Sequence, residues 1–413
     1  MPANEIKEMV KIFNTKNIAS DESFAVMLGK LYPANQGIGI LFYFFNQGTL
    51  RRVFFEPGKV IEKKTFSITK ADLLQLSIDM NHVLDLYVQS DKKIPEKRGL
   101  KINRPAATKG ITYDAVIQKA CTLLLPDSFD VKYKHLLIIP ALNIGTFPFY
   151  LLTPNKKEKQ LIDICSVTVV PGIFDLFGLR IKVIKKAAGE GGMFDGREPI
   201  EATFIFERPL FISNPLYPVG TEFFYPDLPG AKKEIDTAIK YSGTYKLLEG
   251  DKAVKDSVIK YMKTADVVYF ATHGIADEEK PMEKSFLVLS GKDPFLTAKD
   301  IMDLRTDSNY LKNNFPEMVI LSACQTGLGR SMEAGVAGLA RSFLLGGSDH
   351  VIMSLWNVDD DATAYLMNRF VFHLKQPHFF MPSEPLRLAM LDTREKFSLP
   401  SKWASFTLFG IDY

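Results

Sequence analysis

Short runs of apolar residues alternate along the chain with longer segments in which apolar residues recur every three or four positions. The runs are rich in β-branched and aromatic residues, as expected of strands, and the longer segments have helical spacing. The predicted strands are Gly39–Phe45, Arg52–Phe55, Leu136–Ile139, Val167–Val170, Leu210–Ile212, Val267–Phe270, Val319–Leu321 and Val351–Leu355. The predicted helices are Ala71–Val88, Tyr113–Leu125, Ala231–Tyr241, Ala253–Tyr261, Gly335–Leu345 and Ala362–Leu374. This alternation predicts an α/β fold with a largely parallel sheet that is covered on both faces.

A glycine-rich segment interrupts the pattern near the middle of the chain. Lys185–Pro199 has the composition of a loop, and we place a boundary there between residues 1–190 and 191–413. Glycine-rich loops also bind phosphate, but no Gly-Lys-Ser or Gly-Lys-Thr sequence follows this one. A flexible connection is therefore the favoured interpretation, and we expect no cofactor.

Charge and composition limit the classes of partner. The chain has 51 Lys and Arg residues against 48 Asp and Glu residues, so we expect neither nucleic acid nor a membrane surface as a partner. No apolar run is long enough to predict a spanning helix, and residues 1–20 lack the apolar core of a secretory signal. The three cysteines, Cys121, Cys165 and Cys324, are odd in number and lack metal-ligand spacing. They indicate a reducing compartment, so we predict a cytoplasmic protein without a metal site.

Two segments carry a reactive side chain directly after a predicted strand. Asp266–Gly274 leads from such a strand to His273, and Met318–Gly327 leads from another to Cys324. Ligands bind beyond the carboxyl ends of the strands of an open parallel sheet, so the two side chains would face one cleft if their strands are neighbours. A neutral imidazole there can accept the thiol proton, and the thiolate can attack a carbonyl carbon.

The same two residues also have a structural interpretation, because a single cysteine or histidine after an apolar strand is more often a packing residue. Their order and their separation of fifty-one positions match the spacing of the caspase His and Cys and favour catalysis. The backbone N–H groups of Gly274 and Cys324 are the predicted oxyanion donors. No carboxylate is evident near His273, so we predict a His273/Cys324 dyad and interpret Cys121 and Cys165 as packing residues.

Several motifs closely resemble those of the CHAT domain, a family related to caspases, separases and gingipains. They are Ala-Thr-His-Gly at 271–274, Leu-Ser-Ala-Cys-Gln-Thr-Gly at 321–327, Gly-Val-Ala-Gly-Leu-Ala-Arg-Ser-Phe at 335–343 and Ser-Leu-Trp-Asn-Val-Asp-Asp at 354–360. Leu228-Pro229-Gly230-Ala231 with Glu234, and Trp403-Ala404-Ser405-Phe406 with Gly410, are similar to further landmarks of the family. One departure is Asn357, where many relatives have proline.

The resemblance implies a caspase-like three-layer sandwich, with residues 1–190 as an inactive lobe and 191–413 as the catalytic lobe. It also implies a cysteine endopeptidase that cleaves a protein partner in a regulated step, because relatives act in bacterial antiviral defence and cell death on partners such as gasdermin-like pore formers. Many relatives carry fused tetratricopeptide or sensor domains. We therefore expect any sensor or activator of this chain to be a separate protein.

Two loops are candidates for binding substrate. Trp356–Asp361 follows the strand beyond the one that leads to Cys324, so Trp356, Asp359 and Asp361, with Asp360 between them, are candidate substrate-binding residues for a cationic side chain. The same aspartates are equally suited to begin a helix. The charged loop Ile275–Lys284 is either a lid over the cleft or a solvated loop without a role.

Two rival functions remain open at this stage. A non-catalytic module with the same fold would hold a peptide in the cleft and would tolerate Cys324→Ala. A cysteine-dependent hydrolase or acyltransferase would act on small esters or amides, because a dyad alone does not define the acyl group.

Overall fold

The computed structural model describes residues 20–32, 37–91, 106–154, 159–173, 175–180, 206–221, 225–275, 277, 280–304, 315–322, 334–356, 360–376 and 381–411. Its strands are β1 (Ile38–Asn46), β2 (Thr49–Glu56), β3 (Lys59–Ser67), β4 (His135–Ile139), β5 (Ser166–Val169), β6 (Leu210–Pro215), β7 (Lys246–Gly250), β8 (Val267–Ala271), β9 (Gly274–Ile275), β10 (Phe286–Val288), β11 (Phe295–Thr297), β12 (Met318–Leu321), β13 (His350–Ser354) and β14 (Phe406–Gly410). Its α-helices are α1 (Asp21–Leu31), α2 (Lys70–Asp91), α3 (Tyr113–Leu124), α4 (Pro229–Ile239), α5 (Lys255–Met262), α6 (Pro281–Lys284), α7 (Ala298–Asp303), α8 (Ala334–Gly346), α9 (Asp360–Leu374), α10 (Ser383–Lys396) and α11 (Pro400–Trp403). Among the described residues, short 3₁₀ helices cover Leu142–Thr146, Phe149–Leu151 and Leu161–Asp163.

One large sheet runs through the part of the chain that the structure describes. Its strand order is β3-β2-β1-β4-β5-β14-β13-β12-β8-β6-β7. Antiparallel pairing occurs in the β1–β2–β3 meander and between β13 and β14, and the other neighbours are parallel. The predicted α/β fold with a largely parallel sheet is therefore confirmed. A small sheet of order β11-β10-β9 lies beside it.

Helices cover both faces of the sheet at strand β8. Side chains alternate between the two faces of a strand, so Tyr269 and Phe270 of β8 point in opposite directions. Tyr269 meets Glu234 of α4, whereas the Phe270 ring lies 6.0 Å from that of Phe343 in α8. Strands β8 and β12 are buried along their whole length, which is why their sequences are continuously apolar rather than alternating.

The two halves of the chain share this sheet. The last strand, β14, lies between β13 and β5, and Phe409 pairs in parallel with Val169. Helix α10 bridges the same junction, because Arg387 donates a 2.7 Å hydrogen bond to the carbonyl of Ile162. The predicted boundary near residue 190 and the glycine-rich segment Lys185–Pro199 lie outside the described residues. The division into an inactive and a catalytic lobe stays a prediction.

Several strands escape prediction from the apolar pattern. Strand β3 alternates between exposed and half-buried positions and contains three lysines, so it has no continuous apolar run. It is held as an edge strand by its pairing with β2.

In the described part of the chain, no helix is both long and apolar enough to cross a membrane.

Candidate active site

The strands that lead to the two predicted catalytic residues are neighbours. Strand β8 pairs in parallel with β12, and Phe270 stands opposite Leu321. His273 follows Phe270 by three residues, and Ser322 is the last residue described before Cys324. Both strands therefore end at the same edge of the sheet, as the catalytic hypothesis requires. Cys324 itself lies outside the described residues, so its role stays a prediction.

His273 is fully buried and is oriented by a backbone carbonyl. Its side chain is 0% exposed, and Nε2 lies 2.7 Å from the carbonyl oxygen of Pro226. A carbonyl can only accept, so Nε2 carries the hydrogen and Nδ1 is the basic atom of the neutral ring. The Pro226 carbonyl thus orients the imidazole of His273. A carboxylate could have had this role, but the sequence showed none near His273. Sequence reasoning missed it because a backbone carbonyl has no residue-type signature.

Two tyrosines enclose the imidazole. The ring centroids of Tyr217 and Tyr225 lie 4.6 Å and 5.6 Å from that of His273. Both tyrosines are buried, and burial raises the pKa of the Tyr217 hydroxyl above its usual range. These rings keep water from one side of the imidazole and limit its rotation. Neither tyrosine was predicted, because both lie between β6 and α4 in the sequence, far from His273.

Asn214 holds the segment that contains Pro226. It has a positive φ of 38°, at a point where the register of β6 against β7 shifts between Ser213 and Pro215. Its Oδ1 accepts a 2.9 Å hydrogen bond from the backbone N–H of Leu228, directly before α4 begins. Asparagine suits this position because it tolerates left-handed backbone and its amide can bond to a nearby main chain.

The backbone on both sides of His273 is fixed by β10. The carbonyl of His273 accepts a 2.8 Å hydrogen bond from Val288 N–H, and Thr272 Oγ1 donates to the Val288 carbonyl over 2.6 Å. Gly274 pairs with Leu287 in the small sheet. The predicted oxyanion donor therefore belongs to an ordered strand directly beside His273, and its role stays a prediction.

A buried carboxyl lies beneath the two strand ends. Glu234 of α4 is 5% exposed, and it accepts hydrogen bonds from the hydroxyl of Tyr269 and from that of Ser322. Burial raises its pKa to about 7, while the two hydroxyl donors act in the opposite direction. In the sequence Glu234 stands only as a family landmark, without an assigned role.

The candidate substrate-binding residues occupy different surroundings. The indole N–H of Trp356 donates a 2.8 Å hydrogen bond to the Ser401 carbonyl. Asp361 lies in the first turn of α9 and pairs with Lys233 at 3.2 Å, where both side chains are well exposed. Asp359 lies outside the described residues. The interpretation as a helix start applies to Asp361, and a role for these residues in specificity stays a prediction.

The loop after His273 is partly docked. Ile275 pairs with Phe286, and α6 packs against α8 and α7. A Cβ on Gly338 would stand 3.0 Å from the Cβ of Pro281, so the small residue permits close approach. Residues Pro281–Lys284 are therefore packed against α8, and a role of the loop as a lid stays a prediction.

The other two cysteines lack the features of an activated thiol. Cys165 is buried, and burial raises its pKa to about 12. Cys121 is half-buried, and burial raises its pKa as well. Thiols with raised pKa values are poor nucleophiles at neutral pH. Within the described residues, no group of three His, Cys, Asp or Glu side chains could hold a metal ion.

Comparison with solved structures identifies the class of fold. Separase in the separase–securin complex of Saccharomyces cerevisiae matches with a TM-score of 0.53 and 13% identity over 95% of this chain and 31% of that chain. At this identity the similarity establishes the fold alone, which is that of the caspase-like α/β proteins. The model of the CHAT domain matches residues 113–411. The chain belongs to the CHAT domain family.

Curated relatives share the sequence over a limited part of their length. Tetratricopeptide repeat protein 28 of Mus musculus is 25% identical over 318 residues, which are 68% of this chain and 12% of that protein. The protein of the same name from Homo sapiens is 21% identical over the same shares. The chain thus corresponds to a small part of these relatives. The family and the caspase-like fold support a cysteine peptidase.

Proposed function

We propose that this chain is a cysteine endopeptidase with Cys324 as nucleophile and His273 as base. The observation that carries the proposal is the pairing of β8 with β12, because it ends both catalytic segments at one edge of the sheet. The buried imidazole, with Nε2–H held by the Pro226 carbonyl, adds to it. This tautomer leaves Nδ1 to accept the thiol proton.

The proposed reaction has two stages, formation of a thioester and its hydrolysis, and each stage accounts for its protons. Nδ1 of His273 takes the proton from Cys324 Sγ, and the thiolate attacks the scissile carbonyl carbon. The N–H groups of Gly274 and Cys324 stabilise the oxyanion, as such donors typically do by about a hundredfold or more in rate. The imidazolium then protonates the leaving amine, and the C–N bond breaks. Water, deprotonated by His273, hydrolyses the thioester and restores the free thiol.

The substrate in this proposal is a protein partner that is cut in a regulated step. Similarity to CHAT proteases of bacterial defence and cell death makes a gasdermin-like pore former a candidate substrate, and a separate sensor or activator protein a candidate regulator. Incubation of the purified chain with such a pore former should give one discrete cut that Cys324→Ala abolishes. Intact substrate, with the activator present, would count against this choice of partner.

Labelling with a peptidyl electrophile tests the dyad before any substrate is known. Intact-mass analysis of the wild type, Cys324→Ala and His273→Ala should show one adduct that requires Cys324 and forms much more slowly without His273. Cys121→Ser and Cys165→Ser are the matched controls and should leave the adduct unchanged. An adduct that survives Cys324→Ala would contradict the assignment. Absence of labelling in the wild type, with candidate partners present, would favour the peptide-binding module instead.

A further inference from the structure

Glu234 contacts both strands of the candidate site from one side of the sheet. The Tyr269 hydroxyl donates to its Oε1, and the Ser322 hydroxyl bonds to the same carboxyl. Tyr269 stands opposite Ile320 in the β8–β12 register, so Ser322, two residues further on, lies on the same face. One carboxyl therefore joins the two strands to α4.

These contacts lie close in sequence to both proposed catalytic residues. Tyr269 precedes His273 by four residues, and Ser322 precedes Cys324 by two. Helix α4 also begins directly after the segment whose Pro226 carbonyl accepts the hydrogen of His273 Nε2. A displacement of Glu234 would therefore move His273 in two ways, through β8 and through the segment that contains Pro226. Through Ser322 it would also move the strand end that leads to Cys324.

Burying this carboxyl is unfavourable for the fold. Desolvation raises its pKa to about 7, which means that the ionised form is poorly solvated where it sits. An apolar side chain of similar volume would pack there without that cost. Carboxyls in such surroundings are concentrated at functional sites, where their geometry is needed.

The titratable neighbours of Glu234 are few. On β8 the neighbour is Tyr269, whose own pKa is raised by burial and by the carboxyl. On α9 it is Asp360, whose charge raises the pKa of Glu234. Strand β6, which also packs against α4, contains no charged residue in Leu210–Pro215. Among the described residues, the protonation of Glu234 is therefore governed by burial, by these two groups and by the Ser322 hydroxyl.

We propose that Glu234 is a positioning residue of the active site, which accepts both hydroxyl groups and thereby fixes the strand ends that lead to His273 and Cys324. It touches neither reacting atom, so it acts through Tyr269 and Ser322. The proposal rests on the proposed dyad. Its structural rival is a Glu234 that only anchors α4 to the sheet.

The conservative variant Glu234→Gln separates the two roles. A carboxylate offers acceptors to both hydroxyls, whereas an amide has one carbonyl oxygen and an NH₂ that donates. Cys324 labelling by a small electrophile should fall roughly fivefold at pH 8, the worth of about one hydrogen bond. The ratio of wild-type to variant rates should approach one at pH 6, where Glu234 is protonated. This ratio cancels the titration of the thiol itself.

Ser322→Ala should lower the labelling rate as Glu234→Gln does, and the double variant should be no slower than either single variant. Ser342→Ala is the control, because Ser342 is a buried serine whose hydroxyl donates to the Leu339 carbonyl of its own helix. It should leave the rate unchanged. A Glu234→Gln labelling rate equal to that of the wild type at pH 8 would overturn the positioning role, as would additive effects of the two single variants.

Hydrogen exchange tests the same link without any chemistry at Cys324. Protection of the amides in 268–273 and 318–322, corrected for intrinsic exchange, should fall between pH 8 and pH 6 in the wild type and stay constant in Glu234→Gln. If the wild type is never labelled but shows this change, the proposed dyad fails while the structural link stands. Equal protection of these amides in the wild type and in Glu234→Gln at pH 8 would overturn the link itself.

Discussion

The chemistry of His273 depends on residues outside its own strand. Its tautomer is set by the carbonyl of Pro226, 2.7 Å from Nε2, and the position of that carbonyl depends on Asn214, which accepts from Leu228 N–H. Tyr217 and Tyr225 restrict the ring from the side. A base prepared in this way needs no carboxylate to hold it.

Substitutions at Asn214 should separate backbone strain from the lost hydrogen bond. Asn214→Ala removes the acceptor and also forces alanine to a φ of 38°, so we expect unfolding free energy to fall by about 1–3 kcal/mol. Asn214→Gly loses only the acceptor and should cost less. Urea denaturation measures both, and the Cys324 labelling rate should fall in both. An Asn214→Ala protein with wild-type stability would contradict this account.

The raised pKa of Glu234 predicts a pH dependence of stability. Folding raises this pKa from an ordinary value near 4.3 to about 7, so the folded chain binds the proton more tightly. The stabilisation is complete below the unfolded pKa and is lost as pH rises through about 7. Glutamine stays neutral, so Glu234→Gln should gain on the order of 1–3 kcal/mol relative to wild type between pH 4.5 and pH 8.

Urea denaturation of both proteins at several pH values in that range measures the difference. Because both chains share every other titrating group, the difference isolates Glu234. A constant difference would mean that Glu234 titrates near its ordinary pKa in the fold.

Helices α4 and α9 are in close contact at their N-terminal ends. A Cβ on Gly230 would stand 2.7 Å from the Cβ of Asp360, an atom next to the α9 backbone that cannot swing away. The glycine is therefore needed for the start of α9 to reach α4. Since α9 begins at Asp360, this contact also determines the position at which the chain enters α9.

Gly230→Ala should force the two helices apart. We expect a loss of about 1–3 kcal/mol in unfolding free energy, as for other overpacked contacts. Gly178→Ala is the matched control, because Gly178 lies in helical backbone over residues 175–180 and a Cβ there meets no atom within 4 Å. It should be neutral or stabilising by up to about 1 kcal/mol. Thermal unfolding of the pair distinguishes the contact from helix propensity, and equal shifts in both variants would contradict the contact.

The whole molecule is organised by one sheet to which both halves of the chain contribute. Strand β14 lies between β5 and β13. A strand from residues 191–413 therefore pairs directly with a strand from residues 1–190. Arg394 adds a 2.5 Å ion pair with Asp163 across this junction. The two halves thus share a continuous core.

Dividing the chain at the predicted boundary should test that interdependence. Fragments 1–190 and 191–413, each expressed alone, should be insoluble or poorly folded, because each exposes an apolar strand edge. Expressed together, they should co-purify as a one-to-one complex. Two soluble fragments, each with its own cooperative unfolding transition, would show that the halves are independent domains.

The sequence alone determined the class of fold and the two segments that carry the proposed chemistry. Continuous apolar runs such as Val267–Phe270 and Val319–Leu321 correctly predicted buried strands, because a strand covered on both faces has few polar positions. Motifs around His273 led to the CHAT family. Strands β3 and β14 were missed, since their formation depends on the partners beside them.

Only the tertiary structure decided which groups meet. Pro226 and Glu234 lie forty-seven and thirty-nine positions before His273, yet one accepts its Nε2–H and the other holds its strand through Tyr269. Pairing of β8 with β12 likewise depends on strand order, which local pattern does not encode. Sequence specifies local periodicity and residue chemistry, whereas contacts between distant segments arise from packing of the whole chain.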